Sequence, residues 1–374
     1  MFLWLINNEP FECGAETRTL MVQGASPPRE YTPREPNTYT VVLMAYNEDR
    51  SVSDTDTRTL VVRRKSSLLV FAEGDWAGET SADIFSLALE TGARQQLTTD
   101  GEFKAFPTLS HDGKQLAFVR YRLPCNGLLY VLNLDLGTET EIGAGATWDE
   151  CGLKSVRAPR WSSDDKYIVV EGGYEPLPGV YRLSIVEVAT RSVRRLDNIR
   201  TCVSRNVPAP CIDGSQLEVV WAPDGKSVYT TLWESLGGGK GQIHIVRIDV
   251  ATLAVTRIYT DADNQSPNFL GPEVYGVSKD GTMLSIRSWP LTDDFRLAVL
   301  DIASGELRFV TPSQAGNVDW PVFCSVGGEE RIFYVNKSRQ TEFRHVRKDG
   351  TGDAVFGTEP RAIFTPYCWE PPGS

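Results

Sequence analysis

Short apolar runs recur along the chain, each the length of one β-strand and each cut off by Gly, Pro, Asp or Thr. The segment 156–196 shows the unit most clearly. Its apolar and polar positions alternate, or run in short blocks, over 156–161, 167–171, 180–188 and 192–196. These predict four strands, A to D. A phrase of the form Ser-x-Asp-Gly marks each predicted A–B turn: Ser110-His111-Asp112-Gly113, Ser162-Ser163-Asp164-Asp165, Ala222-Pro223-Asp224-Gly225 and Ser278-Lys279-Asp280-Gly281, with Ser325-Val326-Gly327-Gly328 as a worn copy. The Asp-Gly pair supplies the positive φ that a tight hairpin needs. Repetition at this period predicts one supersecondary unit stacked many times.

Counting the C–D turns fixes the number of units. They fall at 89–92, 135–138, 187–190, 249–252, 301–305 and 348–352, which makes six four-stranded blades. The first copy begins at strand B, 68–72, with no strand A before it. The last copy is followed by an orphan segment, Arg361-Ala362-Ile363-Phe364-Thr365-Pro366-Tyr367-Cys368-Trp369, built like Lys104-Ala105-Phe106-Pro107-Thr108-Leu109-Ser110. The C-terminus is therefore expected to supply the inner strand of blade one, closing the ring and protecting its sheet edges.

The Ser-x-Asp-Gly phrase with its following apolar strand resembles the WD40-like repeat of TolB-type β-propellers, over roughly 66–374. The Gly-His and Trp-Asp dipeptides that true WD40 repeats carry at fixed places do not recur here. Residues 1–64 differ. Pro36-Asn37-Thr38-Tyr39-Thr40-Val41-Val42-Leu43 alternates at period two and is similar to the Pro-Gly-Thr-Tyr strand of PKD-type immunoglobulin-like domains, and a second such run covers 57–62. The expected fold is all-β: a small N-terminal PKD/Ig-like β-sandwich, a joint at Arg63-Arg64-Lys65-Ser66, and a six-bladed propeller. Met1-Phe2-Leu3-Trp4-Leu5-Ile6 is too short for the core of a signal peptide and reads as a strand, exposed by truncation of a longer precursor.

Composition narrows the function. Lys and Arg number 38 against 49 Asp and Glu, a net charge of -11, which opposes nucleic acid or an anionic membrane as the main partner. No apolar stretch reaches the length of a membrane span. Seven cysteines, without a Cys-x-x-Cys pair or a neighbouring His, favour disulfides in an oxidising compartment over zinc, with buried free thiols as the alternative. The expected pairs are Cys125–Cys151, Cys202–Cys211 and Cys324–Cys368, leaving Cys13 over.

Catalytic signatures are sparse. His111 falls in an A–B turn, His244 and His345 in C strands of different blades, and no Gly-x-Ser-x-Gly elbow occurs. Gly237-Gly238-Gly239-Lys240-Gly241 lacks the Gly-Lys-Ser/Thr ending of a phosphate loop and reads as a flexible B–C loop. Asp261-Ala262-Asp263-Asn264 does not have EF-hand spacing and reads as a solvated turn. Asp149-Glu150 and Asp293-Asp294 read as solvated loop acids. No cofactor and no metal are expected.

One recurrence stands out. An aromatic residue sits at or just past the end of successive B strands: Trp76, Tyr121, Tyr174, Trp233 and Trp289, with Asn336-Lys337 breaking the series. All B–C and D–A loops of a propeller share one face, so these aromatics are expected to gather there among Glu73, Asp75, Arg122, Glu175, Glu234 and Asp293. Two roles fit: anchors for a partner, or covers for the ends of the blade cores. The resulting expectation is an extracellular, cell-surface or periplasmic binding protein that recognises a protein or a glycan on that face. The rivals are a propeller enzyme or enzyme accessory domain, and a spacer within a larger surface assembly.

Overall fold

In the computed structural model the chain divides into two compact units, Met1–Lys65 and Ser66–Ser374. The structure describes residues 2–6, 9–10, 37–46 and 52–62 of the first. Of the second it describes 66–74, 81–121, 127–142, 156–171, 180–202, 212–213, 219–237, 240–261, 271–288, 295–310, 318–336, 339–359 and 361–371. Every described element is a strand, and among the described residues no helix is long and apolar enough to cross a membrane.

The first unit's described residues form one antiparallel sheet. Phe2–Ile6 lies between Glu9–Pro10 and Asn37–Tyr46, and Val52–Val62 completes the order. The period-two alternation of 37–46 predicted the central strand, and its partner starts five residues earlier than the predicted 57–62. The second sheet that a sandwich requires is not among the described residues.

The second unit is a ring of six four-stranded antiparallel blades. Blade two is the simplest, with A at Lys104–Leu109, B at Gln115–Arg120, C at Leu128–Asn133 and D at Thr138–Ile142. Blade one closes as the orphan segment predicted. Ala362–Trp369 pairs with Leu68–Gly74 in the register Phe364↔Ala72, Tyr367↔Val70 and Trp369↔Leu68. Blade three departs from expectation. Its D strand does not stop near 196 but runs Val193–Cys202, and Ile212–Asp213 adds a fifth strand parallel to it. Thr201 pairs with Ile212 and Cys202 with Asp213, a pairing that no local pattern encodes.

The core is divided among the blade boundaries. Six apolar clusters each join two neighbouring blades: Val70, Leu116 and Trp369 between one and two, Val119 and Ile168 between two and three, Val169 and Val246 between three and four. Ile245 and Ile286 follow between four and five, Val299 and Ile332 between five and six, and Phe71 and Phe343 across the closure. Each B strand is covered on both faces, which is why it reads as a continuous apolar run rather than an alternating one.

The repeated turn phrase has a direct physical role. The Ser278 hydroxyl donates to Asp280 at 2.6 Å, the Thr282 N–H donates to the same carboxylate at 3.0 Å, and the Met283 N–H donates back to the Ser278 hydroxyl at 2.9 Å. Ser110-Asp112 and Ser162-Asp164 repeat this lock. Gly113 has φ +73°, and a Cβ there would lie 2.6 Å from the Trp369 ring, so this glycine both makes the turn and seats the closing strand. In blade three Asp165 stands at the glycine position with φ 58°. Its carboxylate accepts the backbone N–H groups of His111 and Asp112 at 2.5 and 3.0 Å, stapling blade three to blade two.

Candidate binding sites on the two faces of the ring

Antiparallel strands in the order A-B-C-D put all B–C and D–A connections on one face and all A–B and C–D turns on the other. The two faces differ. The C–D turns and the A–B turns of blades two to six are tight, whereas blade one has no A–B turn, its A strand ending at Trp369 and its B strand starting at Leu68 on that same face. The longest connections of the ring, 143–156 and 261–272, begin and end on the B–C/D–A face.

The aromatic series expected on that face is placed in part. Trp76, Tyr174 and Trp289 lie outside the described residues. Trp233 lies in the B strand Ser227–Gly237, paired with Ile243, and its side chain lies outside them. Tyr121 is half-buried, edge-on to Phe103 at 5.1 Å, beside the small apolar cluster of Ala72, Phe103 and Phe364. Here the ring covers the end of a blade core. The loop acids 149–150 and 293–294 lie outside the described residues, as do 262–264 beyond Asp261.

Beneath that face the inner rim is braced by buried ions. Arg287, 1% exposed, ends the blade-five B strand and bridges Glu273 and Asp319, which begin the A strands of blades five and six. Arg287 is held cationic by these carboxylates, while burial pushes the Glu273 carboxyl up against the pull of Arg287. Lys104, fully buried, pairs with Asp83 and Asp100, and burial lowers its pKa. Arg120 pairs with Asp100, Glu102 and Glu139. Arg94 joins Glu73 and Glu359 at 2.5 and 2.7 Å. Arg287 and Lys104 each link two blades, and Arg120 and Arg94 tie their own blades to the connections beside them, so these ions brace the ring near the ends of the B strands.

The three histidines are separate. His111 is exposed in its turn, His244 is buried against the Thr260 hydroxyl at 2.9 Å, and His345 meets Arg331 at 3.0 Å. The expected flexible loop at 237–241 is a hairpin, with Gly237 paired to Lys240. Among the described residues, the one cluster of donor atoms close enough to hold a metal is Cys324, Cys368 and Glu370. Its two sulfurs are bonded to each other, with Cα atoms 5.6 Å apart. This is the expected pair between the inner strands of blades six and one. Cys13, Cys125, Cys151 and Cys211 lie outside the described residues, and Cys202 is placed only as the end of its strand.

Sequence reasoning missed a second feature, the axial chamber. The inner strands carry Thr108, Arg160, Val220, Gly276 and Tyr367 opposite the third residue of their B strands, and Val322 opposite Phe333, the fifth residue of the longer blade-six B strand. Five of these strands bulge just before that position, and in four of them Phe106, Ala158, Trp320 and Thr365 take φ of 55°, 44°, 48° and 49° ahead of a proline. A cavity of about 180 Å³ occupies the axis among Arg160, Val220, Gly276, Val322 and Tyr367. It shares Trp161, Trp221, Phe323 and Cys368 with a cavity of about 320 Å³ that opens among the A–B turns. The Arg160 guanidinium stands 5.6 Å from the Tyr367 ring, and burial pushes the Tyr367 phenol up. The rim holds His111, Lys279, Glu330 and Glu370. The indoles are fixed from behind: Trp161 Nε1 donates to Thr108 O at 3.2 Å and Trp221 Nε1 to Arg160 O at 2.9 Å.

No family model matches the sequence, and no curated protein matches it. Solved structures do. TolB from Acinetobacter baumannii is similar at a TM-score of 0.61 and 15% identity, over 88% of this chain and 79% of that one. A putative TolB from Agrobacterium tumefaciens is similar at 0.52 and 16%, over 79% and 89%. The hydrazine synthase of Kuenenia stuttgartiensis is similar at 0.59 and 13%, over 81% of this chain and 46% of that one. At these identities the likeness is one of fold, the TolB-like six-bladed propeller.

Proposed function

We propose that this chain is a recognition module that holds a protein partner on the B–C/D–A face of its propeller, in an oxidising compartment such as the periplasm or the cell exterior. The observation that carries the reading is the asymmetry of the two faces. The longest gaps between consecutive strands of the ring, 143–156 and 261–272, begin and end at strand ends on the face whose rim is cross-braced by buried ion pairs, while the C–D turns and the A–B turns of blades two to six on the opposite face are tight. Variable loops on a fixed scaffold are the usual place for partner contacts. The disulfide between Cys324 and Cys368 supports the compartment. Reading the N-terminal sheet as part of a PKD/Ig-like sandwich fits a modular surface protein.

The test uses Trp233→Ala and Trp289→Ala in the full chain. Partners retained by the wild-type protein from its native milieu are identified, and affinity and melting temperature are measured for both variants. Anchors lose about 2 kcal/mol or more of binding with the fold intact. Unchanged affinity with a lowered melting temperature makes the aromatics core covers and overturns this assignment of the surface.

A further inference from the structure

We propose that the axial chamber on the A–B turn face is a binding site for an uncharged sugar ring, a pyranose. It is distinct from the partner surface proposed above and does not rest on it.

Size comes first. The mouth, at about 320 Å³, falls in the range of small-ligand pockets, and the deeper compartment continues it along the axis. The walls come next. Trp161, Trp221, Phe323 and Tyr367 border both compartments, and the indole N–H groups of the two tryptophans are already bonded to backbone carbonyls of the neighbouring blade. Trp161, Trp221 and Phe323 are packed into the inter-blade cores and only 6%, 9% and 7% exposed, so what they offer a guest is a narrow apolar strip of each ring in a preset position. That suits the C–H faces of a pyranose, which pack against aromatic carbon.

The rim decides the charge of the guest. Glu370 accepts the Ser325 N–H at 2.7 Å and stands 3.5 Å from the Lys279 ammonium. Glu330 accepts the Lys279 N–H at 2.6 Å and pairs with Lys348. Each carboxylate has a cation beside it, so the rim presents no net charge. A cationic guest would meet Lys279 at the rim and Arg160 inside, and an anionic guest would meet Glu330 and Glu370. A neutral guest with hydroxyl groups on its edge meets acceptors in the carboxylates and donors in Lys279 and His111. Apolar faces with a polyhydroxyl edge are the signature of a sugar.

The test uses the full oxidised chain with methyl pyranosides and N-acetylglucosamine, followed by saturation-transfer NMR and tryptophan fluorescence. Saturable binding in the millimolar range is expected, and tighter binding to a tetrasaccharide than to its monosaccharide would mark the end of a glycan chain as the source. Ser163 is exposed at the mouth, so Ser163→Trp fills the entrance without disturbing the core and is expected to abolish binding. Glu370→Gln keeps the size of the side chain and is expected to weaken binding about tenfold through loss of a charged acceptor. Absence of binding by every sugar at tens of millimolar overturns the proposal. So does binding that Ser163→Trp leaves unchanged, or occupancy by an aromatic-rich peptide that sugars do not displace. Partner capture on the opposite face is unaffected by Ser163→Trp, so failure here is distinguishable from failure of the partner surface.

Discussion

Removing the Cys324–Cys368 bond is expected to weaken the ring at its closure. The bond joins the inner strands of blades six and one across a sequence separation of 44. In the chain-entropy treatment a crosslink of that span lowers the entropy of the unfolded ensemble by about 13 cal/mol/K, worth about 4 kcal/mol at 25 °C. Native geometry usually returns less than this ceiling, so a loss of about 2–4 kcal/mol is expected. Cys324 is fully buried beside Phe333 and Phe343, and a serine there would add the cost of an unpaired hydroxyl. The double variant Cys324→Ala/Cys368→Ala is the cleaner perturbation. Urea unfolding should show a lower midpoint with a steeper slope, because the uncrosslinked chain unfolds to a more exposed state. Hydrogen exchange should accelerate first in 68–74 and 362–369, the pair of strands that closes the ring. A loss below about 1 kcal/mol with unchanged exchange in those strands would refute the reasoning. Alkylation of both thiols in native, unreduced protein would refute its premise.

Three further outcomes are expected. Deleting 361–374 should leave Leu68–Gly74 as an open sheet edge and cause association detectable by light scattering; a monomer with an unchanged melting temperature counts against closure by strand pairing. Arg287→Leu leaves Glu273 and Asp319 buried without their counter-charge and should cost about 3–5 kcal/mol in denaturant unfolding, with Glu273→Gln/Asp319→Asn in the same chain recovering part of it. The Asp280 carboxyl is pulled down to about 2 by the Ser278 hydroxyl and then by Thr282. The native state therefore holds this proton less tightly than the unfolded chain does, and the stability it confers is present above about pH 4 and fades as pH falls toward 2. The difference in stability between wild type and Asp280→Asn should shrink over that window, and a constant difference would rule the linkage out.

How much was legible in the sequence follows from how far apart the contacting residues lie. Blade count, turn positions and the closing strand were readable because Ser278 to Met283, or the bulge motif Thr365-Pro366, carry their meaning within a few residues. The blade-three D strand was not, because its far half is bonded to Ile212–Asp213. The axial chamber was hidden for the same reason. Arg160, Val220, Gly276 and Tyr367 become neighbours only once six separate strands are placed in register around an axis. The aromatic recurrence at the B-strand ends was visible because it is periodic, but periodicity alone does not separate an anchor from a cover. At Tyr121, whose ring packs on Phe103, the position is that of a cover.

The closing strand also sets a timetable. Strand B of blade one is synthesised roughly 290 residues before its partner Ala362–Trp369, some 15–60 s at 5–20 residues per second. Through that interval the edge Leu68–Gly74 has its hairpin neighbour on one side and nothing from its own blade on the other. Blades two to six can dock as they emerge, but the ring stays a horseshoe until Ala362–Trp369 arrives. Two horseshoes on one polysome could exchange terminal strands, giving a swapped dimer with every native pairing intact. A chaperone or an early partner that occupies this edge would act on yield rather than on final stability, and slowing translation would raise the swapped fraction without changing the folded monomer.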